Sequence, residues 1–202
     1  MKISYNGKEM SKNLVVQEDT RIQLTPEQRA ARRDLLTKLR QVGAQAGLAQ
    51  FTIAALRTNV NNEIESWKRP GGPRVPDNVK QAAEALLKRI DEAYPAWGTP
   101  PSEISTASQA GPPLVERAAP LPQRVLQLAF SIEGYAAPVT SQQSEQATIL
   151  TQKVTDAAAV VRKLAQEDLP ALNKLMNEAN VPHIIMPMPA GPPPGGNRPP
   201  NQ

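Results

Sequence analysis

The stretch that decides the fold is LTPEQRAARRDLLTKLRQVGAQAGLAQFTIAALRTNVNNEIESW, running from Leu24 to Trp67. It opens on Thr25-Pro26-Glu27-Gln28, a capping box with proline at the first helical position. In that arrangement the Thr25 hydroxyl accepts from the Gln28 amide, and the Gln28 side chain accepts from the Thr25 amide. Apolar residues then recur as Leu35, Leu39, Val42, Ala46, Ala49, Ile53, Leu56, Val60, Ile64 and Trp67. Steps of three and four sustained over this length mark the stripe of a helical bundle or coiled coil. The spacing predicts a helix over 26–67, roughly 60 Å long at about 1.5 Å per residue, which needs partners along most of its length. Gly43 and Gly47 each cost about 1 kcal/mol relative to alanine in a helix. With Ala44 and Ala46 they form a small-residue patch where another helix can approach closely.

Downstream, Arg69-Pro70-Gly71-Gly72-Pro73 stops this helix. A second helix is expected from about Pro76-Asp77 to Tyr94-Pro95, with Val79, Ala83, Leu86 and Ile90 on one face and Ala82 and Leu87 beside them. Residues 95–120 are rich in Pro, Gly, Ser and Thr and read as a long loop. A third helix covers about 121–133, with Leu121, Val125, Leu128 and Ile132 in register and Gly134 closing it. The fourth begins after Thr140 or Ser141 and carries Ala147, Leu150, Val154, Ala157, Val161 and Leu164. Pro170 denies an amide and crowds the carbonyl of Gln166, so a kink or break is expected there. The stripe restarts with shifted phase at Leu169, Leu172, Met176 and Ala179, and Val181-Pro182 ends it.

Upstream, Lys2-Ile3-Ser4-Tyr5 alternates polar and apolar, Asn6-Gly7 is the strongest short hairpin signal, and Leu14-Val15-Val16 reads as the second strand. Two strands alone are marginal in water, so this hairpin over 1–20 looks orphaned. The fold class is therefore mainly α: an antiparallel bundle of about four amphipathic helices (25–181), a small N-terminal β-hairpin, and a Pro/Gly-rich tail (182–202) expected to be disordered.

Composition narrows the function. The chain carries 23 basic and 19 acidic residues among 202, interleaved rather than blocked, and aromatics are only 3%. Nucleic-acid binders more often concentrate a basic face with stacking aromatics, so nucleic acid is a disfavoured partner. Cysteine is absent, which excludes disulfides, thiolate metal sites and cysteine nucleophiles. No apolar run reaches the roughly 18–20 residues needed to span a bilayer. The first residues, Met1-Lys2-Ile3-Ser4-Tyr5-Asn6, have no apolar stretch of signal-peptide type.

Candidate chemistry is sparse. His183, the single histidine, stands beside the tail, which argues against a triad, a histidine-pair metal site or a proton relay. Carboxylates such as Asp34, Glu63, Glu65, Glu84, Asp91, Glu92, Asp156, Glu167 and Asp168 fall mostly outside the apolar stripes and read as solvated faces. Gly71-Gly72 and Gly195-Gly196 lack the lysine and strand–helix setting of a phosphate loop. No catalytic, cofactor-binding or metal-ligating residue is expected. Two features point to partners instead. Arg29, Arg32, Arg33, Lys38 and Arg40 form a basic cluster, diluted by Glu27 and Asp34, that suits either an anionic partner or plain solvation. The Pro-rich tail fits grooves that read polyproline II.

Several segments resemble the C-terminal region of bacterial sortilin-like (VPS10-type) propeller proteins, which often carry a glycosyl hydrolase label. Ile3-Ser4-Tyr5-Asn6-Gly7-Lys8 through Leu14-Val15-Val16-Gln17-Glu18-Asp19 resembles the family's closing hairpin. Leu24-Thr25-Pro26-Glu27-Gln28 resembles the opening of its helical region, and Asp168-Leu169-Pro170-Ala171-Leu172-Asn173 with Val181-Pro182 the end of its last helix. The resemblance spans roughly 1–183 and is weakest over 95–120. It implies an extracytoplasmic parent with a propeller, a small β-sandwich and these helices, of which this chain would be a piece with the sandwich reduced to its last hairpin. The family's hydrolase label does not transfer, because none of its catalytic residues maps here. The expected role is a non-catalytic accessory or interaction module that docks on a propeller-containing protein or on its own copy. The alternative is a free-standing helical adaptor that binds an anionic partner through the basic first helix.

Overall fold

A computed structural model describes residues 2–13, 15, 19, 22–98 and 119–186. The chain is mainly helical, with one two-stranded antiparallel sheet at its N-terminus. The helices are α1 (Pro26–Trp67), α2 (Asp77–Ala93), α3 (Leu121–Glu133), α4 (Ser141–Lys163) and α5 (Leu169–Glu178). A 3-10 turn (Tyr94–Ala96) follows α2, and a π turn (Leu164–Asp168) joins α4 to α5.

The start of α1 is the expected capping box: the Gln28 amide donates to Thr25 Oγ1 at 3.3 Å, and the Thr25 amide donates to Gln28 Oε1 at 2.9 Å. The same device opens α4, where Thr140 and Gln143 exchange bonds of 3.0 and 3.1 Å. The stop after α1 is geometric. Gly71 adopts φ 81°, and a Cβ on Gly72 would sit 2.8 Å from the Ser66 carbonyl oxygen.

In cross-section the bundle has three rods. Arg57 of α1 pairs with Asp91 near the end of α2, and Gln50 bonds the Trp97 carbonyl just beyond it. Gly43 faces Val125 of α3, and Arg32 reaches Ile132 at its end. Thus α2 and α3 run end to end, both antiparallel to α1, each covering half of it. The third rod, α4 through α5, runs parallel to α1: Leu48 and Thr52 share a groove with Ala158 and Ala165, and Asn59 bonds the Ile185 carbonyl. One continuous apolar core fills the space between the rods.

The stripes of α2 and α3 are buried as expected, and so is that of α1 from Leu39 to Ile64. Two phases differ. Leu36 rather than Leu35 is buried at the start of α1, with Leu35 and Trp67 half-buried, and Ala158 rather than Ala157 is buried in α4. Near Pro170 the helical ladder does change: the Leu169 amide bonds the Leu164 carbonyl, five residues back. The π turn takes up one extra residue, and this converts the awkward step from Leu164 to Leu169 into a continuation of the same buried stripe, with Leu172 and Met176 following. Asn180, at φ 53°, ends α5, and the Val181 amide returns to the Met176 carbonyl at 2.9 Å, a Schellman closure.

Three expectations are corrected. The second strand is Lys8–Ser11, not Leu14-Val15-Val16: the two-residue Asn6-Gly7 loop pairs Tyr5 with Lys8 and Ile3 with Met10. Leu14 and Val16 lie outside the described residues, and Val15 is exposed. The expected loop over 95–120 begins later, because Trp97 is 1% exposed and fully inside the core; its remainder, 99–118, lies outside the described residues. The chain also stays on the bundle past Pro182. Ile184 is buried, its amide and carbonyl both held by the Asn173 side chain at 2.8 and 2.9 Å. The expected disordered tail, from 187 onward, lies outside the described residues.

Candidate interaction surfaces

The basic cluster of α1 divides when its contacts are followed. Arg32 is half-buried and donates to the carbonyls of Ile132, Glu133 and Tyr135 at 3.0, 3.1 and 3.4 Å. It caps the C-terminal end of α3, where unpaired carbonyls concentrate negative partial charge. Arg40 pairs with Glu133 at 2.9 Å. Arg33 and Lys38 are exposed. The cluster is therefore partly structural, which the sequence does not show because the α3 terminus lies 100 residues away.

The carboxylates also have local partners. Glu63 accepts from the Trp67 indole at 2.9 Å, Asp91 from Arg57 at 2.6 Å, and Asp156 from Gln152 at 2.8 Å. Asp168 lies 2.8 Å from Arg89, an ion pair whose angles are not those of a hydrogen bond. Two exposed groups have displaced pKa values. The Thr25 hydroxyl and the Glu27 amide lower that of Glu27, and the hydrogen bond to Glu65 raises that of Lys68. His183 is exposed. Among the described residues, no group of three or more His, Asp or Glu could hold a metal ion, and no helix is long and apolar enough to cross a membrane.

The concave features are open grooves between rods. A cleft of about 400 Å³ lies where α2 ends against α4, between Ala93, Ala96, Trp97, Ala157 and Val160. Among the described residues, the buried Trp97 indole N–H has no acceptor. A second groove, between α1 and α2, is lined by charges of both signs, among them Glu65, Lys68, Glu84 and Lys88.

The hairpin is the most exposed element. Every residue of both strands is exposed. Side chains alternate across a strand, so the pairing puts Ile3, Tyr5, Lys8 and Met10 on one face, with Ile3, Tyr5 and Met10 at 55%, 77% and 75% exposure. The opposite face carries the Lys2–Glu9 ion pair at 2.8 Å. The sequence signals the hairpin, but Met10 joins this face only once Lys8–Ser11, rather than Leu14-Val15-Val16, is the second strand. The chain matches no family model, no curated protein and no solved structure.

Proposed function

We propose that this chain is a non-catalytic helical interaction module, whose bundle carries an amphipathic hairpin for docking on a β-rich partner. The observation behind this reading is the hairpin face of Ile3, Tyr5 and Met10, exposed on two strands that, among the described residues, pair only with each other. A two-stranded ribbon is marginal without a third strand or an apolar cover, and its free edges are templates for strand addition. The resemblance to the C-terminal region of sortilin-like proteins supports a partner with a propeller and a β-sandwich. The anionic-partner alternative is the weaker of the two, since Arg32 is spent on the end of α3 and the exposed Arg40 is already paired with Glu133.

The test is amide exchange on the full chain, alone and with a purified sortilin-type propeller protein. Alone, residues 2–11 should exchange far faster than the middle of α1; with the partner they should become protected. The joint change Tyr5→Ser and Met10→Ser should remove that protection and leave the helices unchanged. A hairpin as protected as the helix core in the isolated chain, or unaltered by the partner, would overturn the reading.

A further inference from the structure

From Gln41 to Leu56, sixteen consecutive residues in the middle of α1 carry no charge. A helix at a protein surface normally places charges on the face away from the core. Here that face holds a second stripe. Thr37, Gln41, Ala44, Leu48, Phe51, Ala55, Thr58 and Asn62 follow one another in steps of three and four, on the side opposite Val42, Ala46, Ala49 and Ile53. None of the eight is charged. Leu48 and Phe51 at its centre are 52% and 48% exposed. Gly47 beside them is also exposed, and a Cβ added there would meet nothing within 4 Å. Nothing in the fold therefore requires glycine at this position, although glycine weakens a helix interior.

The geometry points to a second copy of this chain as the occupant of this stripe, with the two α1 helices packed antiparallel about a two-fold axis between Leu48 and Phe51. The stripe reads alike from either end. About that axis Leu48 meets the other copy's Phe51, Ala44 meets Ala55, Gln41 meets Thr58, and Thr37 meets Asn62. Large apolar residues thus pair at the centre, small ones beside them, and neutral polar ones outside, as a self-complementary isologous interface requires. Gly47 and Ala54 flank the seam and let the backbones approach.

Charge selects the direction. Residues 33–40 carry Arg33, Lys38 and Arg40 against a single Asp34, with Arg40 already paired to Glu133, while the segment facing them, 59–66, carries Glu63 and Glu65, the latter already paired to Lys68. Arg33 and Lys38 are the basic groups left for Glu63 to face. A parallel pair would instead set the basic ends against each other. The seam is short, so the dimer belongs to the weak end of specific interfaces, with a dissociation constant on the order of 10 µM.

Sedimentation equilibrium of the full chain from about 1 to about 500 µM brackets that range. The mass should rise from one chain towards two. Phe51→Glu, at a half-exposed position, should hold it at one chain throughout and leave the helical signal and melting cooperativity intact. Direction is read by cross-linking, since the chain has no cysteine of its own. A mixture of Thr37→Cys and Asn62→Cys chains should link to each other, and neither should link to itself. A single-chain mass at every concentration, a dimer that survives Phe51→Glu, or Thr37→Cys chains linked to themselves would each overturn the proposal. Failure here is separable from failure of the hairpin reading, because Tyr5→Ser with Met10→Ser should leave this dimer unchanged.

Discussion

The guanidinium of Arg32, near the start of α1, holds the carbonyl of Ile132 at 3.0 Å. The same group reaches Glu133 and Tyr135, so one side chain closes the end of α3 and joins it to the first rod. Its neighbour Arg33 is exposed. Two adjacent arginines that look equivalent in the sequence should therefore respond differently to the same change. Arg32→Gln should lower stability by about 1–2 kcal/mol, the scale of charge-assisted bonds to helix-terminal carbonyls. Arg33→Gln should stay within about 0.5 kcal/mol of the parent. Urea unfolding of the two variants side by side measures the difference.

Asn173 fastens the chain beyond α5 by bonding both backbone groups of Ile184. Asn173→Ala would leave a part-buried amide and carbonyl without partners, at about 1–3 kcal/mol. The expected result is rapid amide exchange at Ile184 and faster proteolytic cleavage after Val181, with α1 through α4 still protected. Unchanged exchange at Ile184 would mean that apolar burial alone holds this segment.

The π turn and Pro170 should be energetically coupled. Deleting Gln166 removes the extra residue and would let the stripe from Leu164 to Leu169 continue in ordinary α-helical phase. It would also leave Pro170 in a regular helix interior, which costs about 3 kcal/mol. The deletion alone should therefore destabilise clearly, and Pro170→Ala in the deleted background should recover most of that loss. Pro170→Ala in the parent, where the turn already accommodates the ring, should be nearly neutral. Chemical denaturation of the four chains forms a double-mutant cycle; additive effects would show that the turn and the proline are unrelated.

Glycines in α1 and in the turn after it should behave oppositely. Gly47→Ala meets open space and should stabilise by up to about 1 kcal/mol through helix propensity. Gly72→Ala would drive its Cβ against the Ser66 and Arg69 carbonyls and should destabilise. Thermal melts at low concentration, where association does not contribute, separate the two signs.

Leu56 and Leu164 are fully buried in the shared apolar core. Replacing either with alanine should cost about 2–5 kcal/mol, a large part of the roughly 5–15 kcal/mol typical of a domain. A melting temperature no lower than that of Arg33→Gln would mean that the core does not unfold cooperatively.

The stripes, caps and stops of the helices were legible because they are local: Thr25 and Gln28 lie one turn apart, and Val79 to Ile90 repeat on one face. Phase errors arose where neighbours were chemically alike. Leu35 or Leu36, and Ala157 or Ala158, satisfy the same spacing, and only the opposing rods choose between them. The β-branched run at Val15-Val16 is a strong strand signal by composition, but a two-residue turn at Asn6-Gly7 leaves Lys8 as the partner for Tyr5. Trp97, Ile184 and the Arg32 cap were not legible. Each is fixed by groups distant in sequence, and nothing in proline-rich surroundings marks which residue folds inward. The dimer seam was hidden differently, since a stripe on the outer face has no core to announce it.

The parallel alignment of the third rod with α1 also sets a timetable. Asn59 waits for Ile185, 126 residues later in the chain. At the roughly 5–20 residues per second of protein synthesis, that interval is about 6–25 s. During it α1 can pair with α2 as a local helical hairpin, and then with α3, but the apolar side meant for α4 and α5 has no cover. The nascent chain therefore presents a long, uncharged helical surface to the ribosome exit and to chaperones until its last helix emerges.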